Sequence, residues 1–291
     1  MRILNSMYGQ AIGDMLGEPV EGLTREEIAS RWGRITGFRS QPIITDDTMM
    51  THLVLQSIHE QQLVDRRHIL GTFFKNRARI PRMGPTTLHA LSMFAADPDF
   101  TPTTGTTDGA AMRAPAIAWL FPAGAVIQNT IESSLATHGG DVAIAGACAI
   151  ACAVSKAIAG AGIETVIRAG ISGAGAVSDD LASRIRESVS LVSQMPLFDV
   201  IDLIGCGIET DCAVPAVFAI IANDHDPENS MLAAVNLGGD SDTIASMVGA
   251  ITWGMSNTHA LPHEWILACA GPIEEMILES WRRVREFWGG D

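Results

Sequence analysis

Two short acidic segments have the residue types and spacing to hold a hard cation. The first is Thr45-Asp46-Asp47-Thr48. The second is Asp240-Ser241-Asp242-Thr243, preceded by Gly238-Gly239. Carboxylate, hydroxyl and carbonyl oxygens suit Mg2+ or Mn2+, and no His or Cys adjoins either segment, which disfavours zinc. Asp240 and Asp242 stand two apart and can reach one point from a turn, with Thr243 adding an oxygen. Each segment also precedes an apolar run, from Met49 and from Ile244. The same residues therefore read as helix caps, because Thr and Asp accept bonds from free backbone N–H groups and the helix dipole favours carboxylates there. Both readings stand at this point. If the two segments meet, four carboxylates share a small volume. Like charges ~4 Å apart repel by about 4 kcal/mol per pair at an effective dielectric of ~20. Such a cluster needs protons or one or two divalent ions, but sequence alone does not bring the segments together.

The elements that must position these residues are helical. Leu53, Val54, Ser57 and Ile58 recur on one face after Thr45, and residues 143–158 read as a buried helix. Helical period also predicts helices over 163–171, 181–192, 213–222 and 266–284, while strand-type alternation is almost absent. Breakers fall between them, at 81–85, 98–109, 160–162, 224–227 and 237–239. No fixed-period repeat or low-complexity linker divides the chain. The reading is one all-α domain of ten or more helices over residues 1–291.

Composition narrows the classes. A chain of 291 residues with 47% hydrophobic side chains can build a large core. Asp and Glu number 33 against 19 Lys and Arg, a net charge of -14, which argues against a surface for nucleic-acid backbones or anionic membranes. The cysteines at 148, 152, 206, 212 and 269 form neither a C-x-x-C pair nor a disulfide framework, and a reducing, cytoplasmic compartment is expected. Cys148 and Cys152 read as small core residues on a helix. No signal peptide is apparent. The apolar run 142–155 is shorter than the ~20 residues a membrane span needs. The longer uncharged stretch 243–263 contains Asn257, Thr258 and Pro262 and suits lipid poorly. P-loop, Rossmann and G-x-S-x-G patterns are missing. Nothing in the sequence sets an oligomeric state.

Five motifs follow in order: Gly13-Asp14-Met15-Leu16-Gly17-Glu18-Pro19-Val20-Glu21, Thr45-Asp46-Asp47-Thr48, Gly109-Ala110-Ala111-Met112-Arg113, Thr137-His138, and Gly238-Gly239-Asp240-Ser241-Asp242-Thr243. In this order and spacing, over about residues 7–265, the chain resembles the ADP-ribosylglycohydrolase family, which includes the dinitrogenase-reductase-activating glycohydrolases. The resemblance implies a single compact multi-helix all-α domain with a binuclear metal cleft holding two divalent cations, Mg2+ or Mn2+. It implies metal ligation by Thr45, Asp46 and Asp47 and by Asp240, Asp242 and Thr243. Glu21, Asp47 and Asp242 become the candidate catalytic residues, with Glu21 as candidate acid or base. Glu21, Asp108, Gly109, Ala110, Met112, His138 and Gly139 become candidate substrate contacts, and Asp14 a residue that orients a ligand from behind.

The implied activity is metal-dependent hydrolysis of an N-glycosidic bond at ribose, with an ADP-ribosylated protein or a small ribosyl metabolite as substrate. Two departures bear on the ADP half. Asp108 stands where many members have Asn, and Gly105 stands where the dinitrogenase-reductase type carries an acidic residue. The added charge at Asp108 disfavours a nearby diphosphate, or binds a hydroxyl or cationic leaving group. A non-enzymatic, crystallin-like role is the alternative of another class, for which loss of metal ligands would be the signal.

Overall fold

The computed structural model describes residues 1–257 and 262–290, so Thr258 lies outside the described residues. Among these the chain forms sixteen α-helices: α1 (Arg2–Gly17), α2 (Arg25–Trp32), α3 (Asp46–Gln61), α4 (Arg66–Asn76), α5 (Pro85–Ala96), α6 (Pro115–Leu120), α7 (Val126–Ser134), α8 (Asp141–Ile158), α9 (Ile163–Gly175), α10 (Asp179–Leu191), α11 (Leu197–Ile204), α12 (Thr210–Asn223), α13 (Pro227–Val235), α14 (Ser241–Met255), α15 (His263–Ala268) and α16 (Pro272–Phe287). Extended pairing among the described residues is limited to two isolated bridges, Thr24 with Gly238 and Thr107 with Glu209. The fold is all-α, as expected.

The centre of the molecule is the antiparallel pair α1 and α14. Gly9, Gly13 and Gly17 recur every fourth residue along α1 and face Gly249, Ala245 and Asp242 in turn. A Cβ built on Gly13 would lie 2.2 Å from the Ala245 carbonyl oxygen, so only glycine admits this backbone approach. The close crossing brings the last turn of α1, with Asp14, against the first turn of α14, with Asp242. The start of α3 is tied to the same place by hydrogen bonds from Thr45 and Thr48 to Asp14.

Helix α8 is apolar enough and, at 18 residues, long enough to cross a membrane by composition alone. Its flanks are instead covered by α6, α7, α9, α12 and α14. Its alanines and Cys148 are buried, while Cys152 is half-buried, and all five cysteines are free thiols. Burial raises the Cys148 thiol to about 12, as expected of a small core residue.

The predicted helices over 143–158, 163–171, 181–192 and 213–222 are present as α8, α9, α10 and α12. The single helix expected over 266–284 is two. Helix α15 ends before Gly271, whose φ of +90° breaks the period, and α16 restarts on Pro272. Trp253 is core, 1% exposed, and Trp281 packs against the core.

Candidate metal centre and active-site cleft

The two acidic segments are the first turns of α3 and α14, and they meet. Thr45 is the N-cap of α3, and its hydroxyl accepts the Asp47 N–H at 3.3 Å. It also donates to Asp47 Oδ2 at 3.0 Å, and Thr243 Oγ1 donates to the same oxygen at 3.3 Å. One carboxylate is thus held by a hydroxyl from each helix start. Asp240 is the N-cap of α14 yet makes no side-chain capping bond. Capping explains Thr45, and it leaves the Asp240 carboxyl unaccounted for.

The turn before Asp240 is set by glycine. Gly238 and Gly239 have φ of +80° and +65°, a region that costs other residues a clash at Cβ. This conformation lets Gly239 donate its N–H to Leu23 O and accept from Gly22 N, both at 2.8 Å, while Asp240 N donates to Cys206 O at 2.7 Å. The turn is thereby fixed beside the Glu18–Val20 3-10 turn and Glu21.

Asp14, Asp47 and Asp242 each offer an oxygen within 4.8 Å of the others, and so do Glu21, Asp240 and Asp242. Asp242 belongs to both groups. Asp14, Asp46, Asp47, Asp108, Asp240 and Asp242 are all buried, whereas Glu21 is at the surface. Burial, then neighbouring carboxylates, raises Asp46 to about 8 and holds Asp47, Asp240 and Asp242 well above the usual carboxylate range. Burial also raises Asp14, to about 6, against the opposing pull of its bonds from Thr48 and Thr45. Asp47 Oδ1, Asp108 Oδ2 and Asp240 Oδ2 are buried with no hydrogen-bond partner. Unpartnered buried carboxylate oxygens are costly, and a hard cation is the partner that suits several converging on one place. The donor set therefore fits divalent metal.

Asp14 differs from its neighbours. Its oxygens accept the Thr45 N–H at 3.0 and 3.1 Å, the Thr48 N–H at 3.1 Å and the Thr48 hydroxyl at 2.5 Å. It orients the ligand-bearing turn of α3 from behind.

The cleft above the carboxylates is lined by Glu21, Asp46, Arg82, Thr107, Asp108, Gly109, Met112, Ile208, Asp240, Asp242 and Thr243, among others. Asp108 is on this wall, 5% exposed, with its backbone N–H on Ile208 O at 3.0 Å. Its carboxyl shares the cleft wall with that of Asp240, and burial raises it well above the usual range. Gly109 and Met112 also face the cleft, and Ala110 is buried beneath them.

His138 lies one layer back. It is wholly buried, with Nε2 against Thr107 Oγ1 at 2.9 Å and Nδ1 against Thr137 Oγ1 at 2.7 Å. Burial and the nearby Arg113 hold its pKa well below the ordinary value. Both ring nitrogens are occupied, so the neutral imidazole supports Thr107 and packs behind Gly109 rather than facing the cleft. Gly139 is also on that layer, donating its N–H to Thr104 O at 2.8 Å. Arg113 is fully buried, reaching the Gly109 carbonyl and Thr137 Oγ1, and burial lowers it to about 9. Sequence reading missed Arg82, Gly84 and Ile208 on the cleft wall. They stand in breaker-rich loops whose spacing carries no signal.

An all-α fold with a buried acidic centre at two helix starts defines a class, and the ADP-ribosylglycohydrolase family model matches residues 1–287. The chain belongs to the ADP-ribosylglycohydrolase family, a family of metal-dependent hydrolytic enzymes. It is 30% identical over 277 residues to an uncharacterized protein of Archaeoglobus fulgidus, covering 90% of this chain and 89% of that one. It is 30% identical over 305 residues to the uncharacterized protein YegU of Escherichia coli, covering 89% of each. It is also 22% identical to the ADP-ribosylhydrolase ARH3 of Mus musculus, over 97% of this chain and 91% of the mouse protein. Among solved structures, an ADP-ribosylglycohydrolase-related protein complex shares the fold, with a TM-score of 0.76 at 22% identity over 98% of this chain and 97% of that one.

Proposed function

We propose that this chain hydrolyses a C1'–N glycosidic bond at a ribose, releasing or degrading ADP-ribose conjugates with two divalent cations, Mg2+ or Mn2+, in the cleft. The observation that carries the reading is that Asp47 and Asp240, each with a buried, unpartnered oxygen, both converge on Asp242 where two helices start. Thr45, Asp46, Asp47, Asp240, Asp242 and Thr243 would hold the ions, with Glu21 beside Asp240 and Asp242 on the mouth side of the site. When bound, the ions position ribose hydroxyls and lower the cost of ionising a water near neutral pH.

The chain's own groups supply the rest. Breaking the bond builds positive charge at C1', and the buried carboxylates around the cleft favour that charge. Glu21, at the mouth within 4.8 Å of Asp240 and Asp242, is the group placed to take or give a proton. Gly109 lines the cleft with its backbone, and its missing side chain leaves the room behind the wall in which His138 packs. The cleft volume is about 60 Å3, far below the roughly 300 Å3 at which pockets begin to hold a drug-sized ligand. Ions and a sugar edge fit inside, and the remainder of the substrate lies outside, as a conjugate requires.

A second reading has its own support. Asp108 places an added buried carboxyl on the cleft wall, which suits a free ribosyl metabolite or nucleoside-like compound better than a diphosphate. The test is product formation with Mg2+, Mn2+ or EDTA on ADP-ribosyl-arginine, ADP-ribosyl-serine, O-acetyl-ADP-ribose and simple ribosides. Metal-dependent release of ADP-ribose supports the first reading, and release of plain ribose alone selects the second. Asp242→Ala should lower turnover of the preferred compound by more than about 100-fold, since even residues supporting metal ligands cost 10–100-fold. Full activity in that variant would sink the assignment.

A further inference from the structure

Between α4 and α5, the loop 77–84 reaches the cleft at two points. Gly84 lines the cleft together with Asp46. Two residues earlier, Arg82 spans to the other wall. Its Nη1 donates to Glu21 Oε2 at 2.6 Å and to the Glu18 carbonyl oxygen at 3.2 Å, and its Nη2 donates to Glu18 Oε1. Arg82 is the one cationic side chain among the residues lining the cleft. Its φ is +50°, in the left-handed region that non-glycine residues rarely adopt, so the loop holds the guanidinium across the cleft at a backbone cost.

Glu18 and Glu21 differ in what they need from it. The Glu18 side chain is 9% exposed and is charge-compensated by Arg82. That pair anchors the guanidinium to the buried end of the turn. The Glu21 side chain is 35% exposed, and a carboxylate with that freedom would sample several rotamers if unpaired. A planar guanidinium held by one carboxylate can fix a second one in direction as well as distance. Glu21 so held lies beside Asp240 and Asp242.

We propose that Arg82 is a positioning residue: it fixes Glu21 at the mouth of the cleft from the opposite wall, and so completes the cation site on that side. This rests on the two-cation reading above. Nothing in the motif order singles out Arg82, whose role follows from the loop's reach across the cleft.

The probe is Mn2+ alone, titrated against the full chain and read by the electron paramagnetic resonance signal of the free ion. Arg82→Lys keeps the charge but loses the planar fork. Arg82→Met loses both. Arg82→Lys should weaken Mn2+ binding by about threefold or more, and the same change in a Glu21→Gln background by less than about 1.5-fold, because members of one ion-pair network couple. Wild-type affinity in Arg82→Lys, or an equal shift in both backgrounds, overturns the proposal. Tighter binding in Arg82→Met with Arg82→Lys unmoved overturns it too, since that is the pattern of a distant charge. Asp242→Ala separates the two levels. Loss of Mn2+ binding there, with Arg82→Lys unmoved, rejects only the role of Arg82. Retained binding in Asp242→Ala rejects the cation site itself.

Discussion

Asp14 and Asp47 offer oxygens within 4.8 Å of each other, yet their surroundings treat them in opposite ways. Asp14 receives two backbone N–H groups and a hydroxyl, whereas Asp47 keeps Oδ1 unpartnered among Asp14, Asp242, Asp46 and Asp240. Removing the two side chains should therefore move stability in opposite directions when metal is absent. Asp14→Ala leaves the Thr45 and Thr48 donors unpaired, at about 1–3 kcal/mol for each buried group. Asp47→Asn removes a charge that burial and its neighbours oppose, while keeping the shape. Thermal unfolding in EDTA should show a lower Tm for Asp14→Ala and a higher Tm for Asp47→Asn. Mn2+ should fail to raise the Tm of Asp47→Asn. A lower Tm for Asp47→Asn in EDTA would mean that its carboxylate stabilises the metal-free fold. At this scale the sequence showed which residues could be ligands, since residue type carries that chemistry. It did not show which oxygens are left free, because Asp14 and Asp47 are the same residue type and differ only in the partners folding gives them.

Helices α1 and α14 bring these residues together, and their contact is glycine on backbone. Gly9 and Gly249 approach so closely that a Cβ on either would lie 2.4 or 2.1 Å from the other's carbonyl oxygen. Gly13 lies midway along the contact. Gly13→Ala should push the helices apart, destabilising the fold by about 1–3 kcal/mol or more, and it should displace Asp14 from Asp242. The expected result is a lower Tm together with weakened Mn2+ binding. A variant that loses stability but binds Mn2+ as the wild type does would show that this crossing does not set the site. Helix α1 was legible as a motif rather than as a helix. Its glycines lower helix propensity, and Asn5–Gly17 are buried on all sides, so no amphipathic face marks it. Helices α8, α9, α10 and α12 were legible because their apolar period is unbroken, and breakers mark the join of α8 to α9 and the end of α12. The division of α15 from α16 was not, because Gly271-Pro272 interrupts a period that continues on both sides.

Across the whole molecule, the first acidic segment and the second are nearly 200 residues apart in the chain. Local spacing cannot report such a contact, and only the order of motifs shared with a family pointed to it. Folding this centre without metal has a pH signature. Burial raises Asp14 to about 6, and burial with neighbouring charge raises Asp46 to about 8, from an ordinary value of 3.8. Raised carboxyls bind more protons folded than unfolded, so their contribution to stability is present at low pH and lost as pH rises through the folded values. His52, held by Ser280 Oγ at 2.8 Å, runs the other way. Burial and the nearby Arg283 lower it from 6.5 to about 4, so its contribution is present above 6.5 and lost as pH falls. Between about pH 6.5 and 8, above the window of His52 and below the ordinary value of 9.0 from which burial raises the thiols, the carboxyl contribution is therefore read alone. In EDTA the Tm should fall across this interval. With saturating Mg2+ or Mn2+ the ions take the place of the protons, and the Tm should stay level or fall less. The metal-induced rise in Tm should therefore grow with pH, and binding should release protons measurable by calorimetry in buffers of different ionisation enthalpy. A metal-induced rise that is the same at both ends of the interval, with no proton release, would mean that the ions bind away from the buried carboxyls.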